Sequence, residues 1–153
     1  MEPVNKNDAG SKRMLAAIRL KGLIGVKSNI ADTLNMLRLY KTNYCCVLNG
    51  TPLYEGMLKT AKDFITWGEI DEDTFNQLVS KRGEDFKGSE TDRRGKIKYN
   101  DFMLVDNRKI KKYFRLNAPR KGLGKKGLKH TFREGGALGY RGDKINDLIK
   151  RML

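Results

Sequence analysis

MLAAIRLKGLIGVKSNIADTLNMLRLYKTNYCCVLNGTPLYEGMLKTAKDFITWGEI, residues Met14–Ile70, is the stretch that decides the fold. Met14 to Leu20 is an apolar run with Arg19 inside it and reads as a strand. Gly22 and Gly25 mark a loop. Asn29 is the expected cap of a first helix, with Asp32 in favourable contact with the helix dipole. Ile30, Leu34 and Leu37 form its apolar face. Tyr44 to Leu48 reads as a second strand, broken by Asn49-Gly50. Thr51 as N-cap and Pro52 at the first helical position open a second helix. Leu53, Met57, Ala61 and Phe64 line its face. Ile65 to Ile70 is a third strand. Strand, helix, strand, helix, strand is a complete small α/β layer.

Outward from this core, Asp71, Glu72 and Asp73 favour the start of a third helix, and Lys81, Arg82 and Gly83 its end. Phe75, Leu78 and Val79 should pack on the sheet. Residues 84–112 form a separate segment. Glu84 to Asn100 is polar and weakly patterned and reads as loop or insertion, and Phe102 to Val105 as a short strand. From Arg115 to Arg141 no regular period appears, and seven glycines between Gly122 and Gly142 predict extended, irregular backbone. Ile145, Leu148, Ile149 and Met152 then recur at helical spacing, so a terminal helix docks on something apolar. Asp143 reads as its cap. The expected divisions are a core over 14–83, the segment 84–112, and a basic loop with its docking helix over 113–153.

The chain has 153 residues, a mass of 17.5 kDa and a net charge of +14. No apolar run is long enough to span a membrane, and the polar start Met1–Asn7 does not read as a secretory signal. The charge is polarised. Residues 1–107 hold 17 basic and 15 acidic side chains, whereas residues 108–153 hold 15 basic and 3 acidic. The last third therefore reads as a polyanion-binding arm that gains affinity by displacing counterions from phosphates. Lys125, Lys126 and Lys129 should matter to such binding, and Lys6 and Lys12 much less.

Cys45 and Cys46 are neighbours in a strand-like run and read as small hydrophobes in a reducing compartment. One lone His130 completes no zinc site with them, so no metal is expected. No catalytic set emerges. Gly122-Leu123-Gly124-Lys125-Lys126-Gly127 spells G-x-G-x-x-G, but neither the preceding strand nor the following helix that a dinucleotide site requires is evident. Position 128 is Leu where a P-loop requires Lys. The better chemical reading is that glycines let backbone N–H groups approach phosphates while Arg120, Lys121, Lys125, Lys126, Lys129 and His130 supply charge. Tyr113, Phe114, Phe132 and Tyr140 can stack on unpaired bases. Gly22-Leu23-Ile24-Gly25 spells the GXXG of a KH module but follows a strand, and so reads as a turn from which Lys21 and Lys27 can reach phosphate.

Several blocks resemble one family. Ile18-Arg19-Leu20-Lys21-Gly22-Leu23-Ile24-Gly25 is followed by Thr33-Leu34 and Leu37-Arg38-Leu39, then Gly56-Met57-Leu58 and Trp67-Gly68-Glu69-Ile70. Later come Phe114-Arg115-Leu116-Asn117-Ala118-Pro119-Arg120-Lys121-Gly122, Gly135-Gly136-Ala137-Leu138-Gly139-Tyr140-Arg141-Gly142, and Ile145 to Met152. In this order they resemble the large-subunit ribosomal protein family called L-thirty in bacteria and archaea and L-seven in eukaryotes. The resemblance covers about 14–82 and 113–153. Bacterial members resemble only the first 60 or so residues and eukaryotic ones carry a long basic N-terminal extension, so the chain looks archaeal in type.

The resemblance implies an α+β fold, ferredoxin-like in flavour. It implies a small three-stranded, largely antiparallel sheet in the order 3-1-2 with two helices on one face. An extra helix, the basic Gly-rich loop and the C-terminal helix add to it. It also implies a cytoplasmic, non-enzymatic structural constituent of the large ribosomal subunit. The implied partners are large-subunit rRNA, 5S rRNA and other large-subunit proteins, and no cofactor is implied. Arg115, Asn117, Arg120, Lys121, Gly122, Tyr140 and Arg141 carry over as rRNA contacts. The loop 108–141 is then expected to be disordered when free and to thread between RNA helices, reaching roughly 110 Å if fully extended. The rival readings are a nucleotide-dependent enzyme using the Gly122–Gly127 turn and a peripheral protein docking its basic face on anionic lipid.

Overall fold

Strand β1 (Met14–Arg19), helix α1 (Ser28–Met36), β2 (Tyr44–Asn49), α2 (Pro52–Thr60) and β3 (Ile65–Glu69) follow one another in the computed structural model, which describes residues 13–153. Met1–Asn7, Lys6 and Lys12 lie outside the described residues. β1 is central and antiparallel to both neighbours. It pairs with β2 from Met14 opposite Asn49 to Ile18 opposite Cys45, and with β3 from Leu15 opposite Glu69 to Arg19 opposite Ile65. This is the 3-1-2 order that the resemblance implies.

The alternation of a strand sends successive side chains to opposite faces. Leu15, Ala17 and Cys46 pack with Leu34, Leu37, Leu58 and Ala61 of the α1–α2 side. Ala16, Ile18, Cys45 and Val47 face the other way, into a second apolar cluster. That cluster is closed by α3 (Glu72–Arg82), by α4 (Ile145–Met152), and by a hairpin of β4 (Phe102–Val105) and β5 (Arg108–Lys111). Ile145, Leu148, Ile149 and Met152 are all fully buried there. Burial pushes the Cys46 thiol up to about 12 and raises Cys45 well above its ordinary value, as inert packing residues require.

The sheet is wider than three strands. β6 (Phe114–Arg115) adds antiparallel to β2, and β7 (Gly139–Tyr140) adds parallel to β3, giving the order β6-β2-β1-β3-β7. Both edge strands come from the basic C-terminal segment. Edges this short offer little to a pairing chain.

Several local expectations are corrected. α1 begins at Ser28 with Lys27 in the cap position, and the Asn29 side chain accepts only from the N–H of Ile30. Leu53 is exposed rather than packed. Positions four apart overshoot one helical turn by about 40° each step, which rotates the first member of the Leu53, Met57, Ala61 series off the sheet. Asp143 does not cap α4. It lies in a 3-10 turn over Gly142–Lys144, and its carbonyl accepts from the side-chain amide of Asn146. Asn146 also accepts from the N–H of Asp71 and donates to the carbonyl of Glu69, so one buried amide joins α4 to the β3–α3 junction. Residues 84–100 hold no helix or strand, in keeping with the loop reading, but they are bonded internally. Thr91 bridges Lys98, Tyr99 N–H donates to Glu90, and the chain reverses at Gly95 with φ +67°.

Candidate nucleic-acid interface

The segment after β6 leaves the sheet edge and returns as β7 on the opposite edge. The expectation that this loop is disordered when the protein is unbound is corrected here, because the backbone is held along its length. Asn117 and Arg120 donate N–H groups to the carbonyls of Met152 and Arg151 at 3.0 and 3.1 Å. The Arg151 guanidinium donates to the carbonyls of Arg120 and Gly122. The terminal carbonyls of α4 are thus satisfied by the loop, and the loop is fixed by the helix. Farther on, Ala137 N–H reaches Gly127, and Gly136 N–H reaches Thr131. Thr131 and Glu134 form a capping box on a short 3-10 turn. Leu123 and Leu128 pack against the second cluster. Gly122, Gly124 and Gly127 all take positive φ, at +75°, +110° and +60°, which a side chain would oppose. Gly-rich composition here encodes a tight fold rather than floppiness.

This scaffold presents Arg120, Lys121, Lys125, Lys126 and Lys129 on its exposed surface with no carboxylate partner among the described residues. Asn117, Gly122 and His130 share that surface, and His130 lies 3.4 Å from Glu134. Arg133 belongs with them, although no motif singles it out. Lys27 is exposed on the β1–α1 turn, and Lys21 lies over the Phe64 ring.

Two site residues behave differently. Arg141 is buried, with 8% of its surface exposed. Its guanidinium donates to Thr66 Oγ1 and to the carbonyl of Ala137, each at 2.7 Å, and stacks over Phe132. Burial pushes its pKa down to about 10, so it stays charged at neutral pH while spending its donors inside the protein. It positions the returning loop rather than presenting charge. Tyr140 is half-exposed, and its hydroxyl donates to both oxygens of Glu69. Desolvation works to raise the Glu69 carboxyl, but the bonds from Tyr140 and Arg13 outweigh it and hold the group below its ordinary value. Among the aromatics, Phe114 is fully buried and unavailable for base stacking. Tyr113 is stacked on Tyr44, with ring centroids 5.2 Å apart, and meets the edge of Tyr40.

The polarised charge also needs correction. Glu84 receives both Lys111, at 2.8 Å, and Arg115; Asp85 pairs with Arg108, and Glu90 with Lys109. Four of the cations counted after residue 107 are therefore matched by acids from the preceding segment. The Lys111 hydrogen bond, then that of Arg115, holds the Glu84 carboxyl below its ordinary value of 4.5. A carboxylate depressed in the folded state adds stability above its unfolded pKa, and this is lost as pH falls through the folded one. Glu84→Gln is therefore expected to lower the urea midpoint at pH 7. The difference from wild type should fade as pH drops below about 4. The same change frees Arg115 and Lys111, so RNA binding should tighten and its salt dependence steepen.

Neither rival finds support. The Gly122–Gly127 turn is preceded by non-strand backbone and followed by a three-residue 3-10 turn, Gly127–Lys129, so no helix N-terminus faces a pyrophosphate. The apolar face of α4 that a membrane anchor would need is buried, and no described helix is long and apolar enough to cross a membrane.

Comparison with known proteins now adds the family. Residues 15–65 match the family described as ribosomal protein L30p/L7e. The large ribosomal subunit protein uL30 of Methanosphaera stadtmanae is 44% identical over 154 residues, covering 92% of this chain and all of the relative. Its namesakes in Nanoarchaeum equitans and Methanococcus maripaludis are 43% and 42% identical, covering 92% and 90% of this chain and 99% and 98% of their own lengths. Such coverage must take in most of 84–112, which the resemblance alone left unmatched. These relatives are archaeal, as the archaeal-type reading expects. With this identity sustained over nearly its whole length, the chain belongs to the L30p/L7e family of ribosomal proteins.

Proposed function

We propose that this chain is a non-enzymatic structural constituent of the large ribosomal subunit in the cytoplasm. It binds large-subunit rRNA through the pinned loop over 117–136, together with Lys21, Lys27 and Arg115. 5S rRNA and neighbouring large-subunit proteins are its further partners. The observation that carries this reading is the row of exposed cations, without a carboxylate partner among the described residues, on a backbone already held by α4. The names of the archaeal relatives support the ribosomal setting. A loop folded in advance loses less conformational freedom on binding than a disordered arm. Recognition then rests on phosphate position and the A-form shape of RNA more than on base edges.

The test is mass spectrometry of sucrose-gradient fractions, followed by crosslinking mapped by sequencing. The chain is expected in the large-subunit peak, with crosslinks from 117–136 to large-subunit rRNA. Absence from that peak overturns the reading. Crosslinks to large-subunit rRNA without any to 5S rRNA remove the 5S contact alone.

A further inference from the structure

We infer that the ribbon over 90–99 is a second RNA-binding element, separate from the Gly-rich loop and gripping the phosphate backbone through Arg93, Arg94, Lys96 and Lys98. This rests on the rRNA-binding reading above and adds a site to it.

Charge is sorted along the segment that carries the ribbon. At its base, the acids Glu84, Asp85 and Glu90 meet Lys111, Arg115, Arg108 and Lys109. At its tip, Arg93, Arg94, Lys96 and Lys98 are all exposed, and none meets a carboxylate among the described residues. The one acid at the tip, Asp92, turns inward on the backbone, where its carboxylate accepts the N–H of Arg93. A net count over the first 107 residues hides this, because acids elsewhere cancel the tip arithmetically without touching it.

The backbone is organised to project those charges. Asp92 N–H donates to Ile97, Gly95 N–H to Asp92, and Tyr99 N–H to Glu90, so the ribbon closes on a tight turn at Gly95. On its return arm, Lys96 and Lys98 alternate in sequence with Ile97 and Tyr99. The latter two are 56% and 43% exposed. A two-stranded ribbon standing alone is marginal in water. One that shows four cations free of carboxylates among the described residues, beside an exposed aliphatic and an exposed tyrosine, is shaped for a partner. The cations fix that partner as a polyanion. A narrow cationic ribbon suits phosphates lining an RNA groove, with Tyr99 available to stack on an unpaired base.

The test titrates full-length protein with large-subunit rRNA stripped of protein, across a salt series. Changing Arg93, Arg94, Lys96 and Lys98 together to Ser is expected to lower affinity at least about tenfold and to make the log–log salt slope shallower by about 3. The thermal transition should not move, since these side chains hold nothing in the fold. The companion variant changes Lys125, Lys126 and Lys129 to Gln. If the companion weakens binding and the ribbon variant does not, the ribbon inference falls and the rRNA reading stands. If neither matters, both fall. A photo-crosslinker at position 97 in assembled subunits gives an independent readout. Crosslinks to rRNA are expected, and crosslinks to protein alone overturn the inference.

Discussion

Arg19→Ala is expected to destabilise the protein by about 3–5 kcal/mol, the sum of a core cavity and of buried carbonyls left without a donor. Arg19 sits in the central strand with 1% of its surface exposed, among the most deeply enclosed side chains of the molecule. Its Nε donates to the carbonyl of Lys21, and one terminal nitrogen donates to the carbonyls of Leu39 and Tyr40 at 2.8 and 2.9 Å. Those carbonyls belong to the two connections that flank β1, the β1–α1 turn and the α1–β2 turn. In the second of these, Arg38 and Asn43 hold positive φ, and Asn43 N–H donates back to the carbonyl of Arg19. The side chain is thus a clamp for strained backbone. Alanine leaves the Leu39 carbonyl buried without a donor and opens a cavity, and both costs add.

Two further variants separate those costs. Arg19→Met fills most of the space but donates nothing, so it should recover only the cavity contribution, about 1–2 kcal/mol. Arg19→Lys keeps a charge but cannot reproduce the fork that reaches three carbonyls, and should behave closer to Met than to wild type. Urea unfolding measures the global effect. Hydrogen exchange supplies the local one, as Leu39 and Asn43 amides should lose protection first in all three variants. A wild-type midpoint for Arg19→Met would contradict the clamp.

This residue also shows where the sequence is legible and where it is not. An arginine inside Met14–Leu20 is readable as an anomaly in an apolar strand, yet its partners lie up to 21 residues away in turns that carry no pattern of their own. The strand–helix order, the Thr51-Pro52 start of α2 and the docking face of α4 are readable because period and capping are local properties. The β4–β5 hairpin carries a local signal in Asp106-Asn107, whose φ values of +48° and +62° are those of a tight hairpin turn. The edge strands β6 and β7 carry none, being two residues each. Charge is the sharpest case. The exposed cations Arg120, Lys121, Lys125, Lys126 and Lys129 do lie within the excess after residue 107, but Arg115 and Glu84 find each other across 31 residues, and Arg141 is drawn inside by Thr66, 75 positions earlier. A count along the chain has no access to either event.

Changing Lys125, Lys126 and Lys129 together to Gln is expected to weaken binding to large-subunit rRNA by about two orders of magnitude at low salt. All three side chains are exposed and none is ion-paired among the described residues, so the loss should be one of binding with no change in the unfolding midpoint. If each neutralises one phosphate, the log–log salt slope becomes shallower by about 2–3, and the advantage of wild type narrows roughly 25-fold between 50 and 200 mM salt. That narrowing distinguishes lost phosphate contacts from a misfolded loop. A misfolded loop would weaken binding without a matching change in slope, and would also disturb the Asn117 and Arg120 anchors on α4, visible as faster amide exchange at those two positions. Changing Lys6 and Lys12 to Gln is the control for total charge. It removes two charges where the loop variant removes three and lies outside the loop, so its effect should be much smaller than two-thirds of the loop variant's. Equal effects from the two sets would mean that the overall field of the protein governs binding, and that the pinned loop contributes no more than its share of that field.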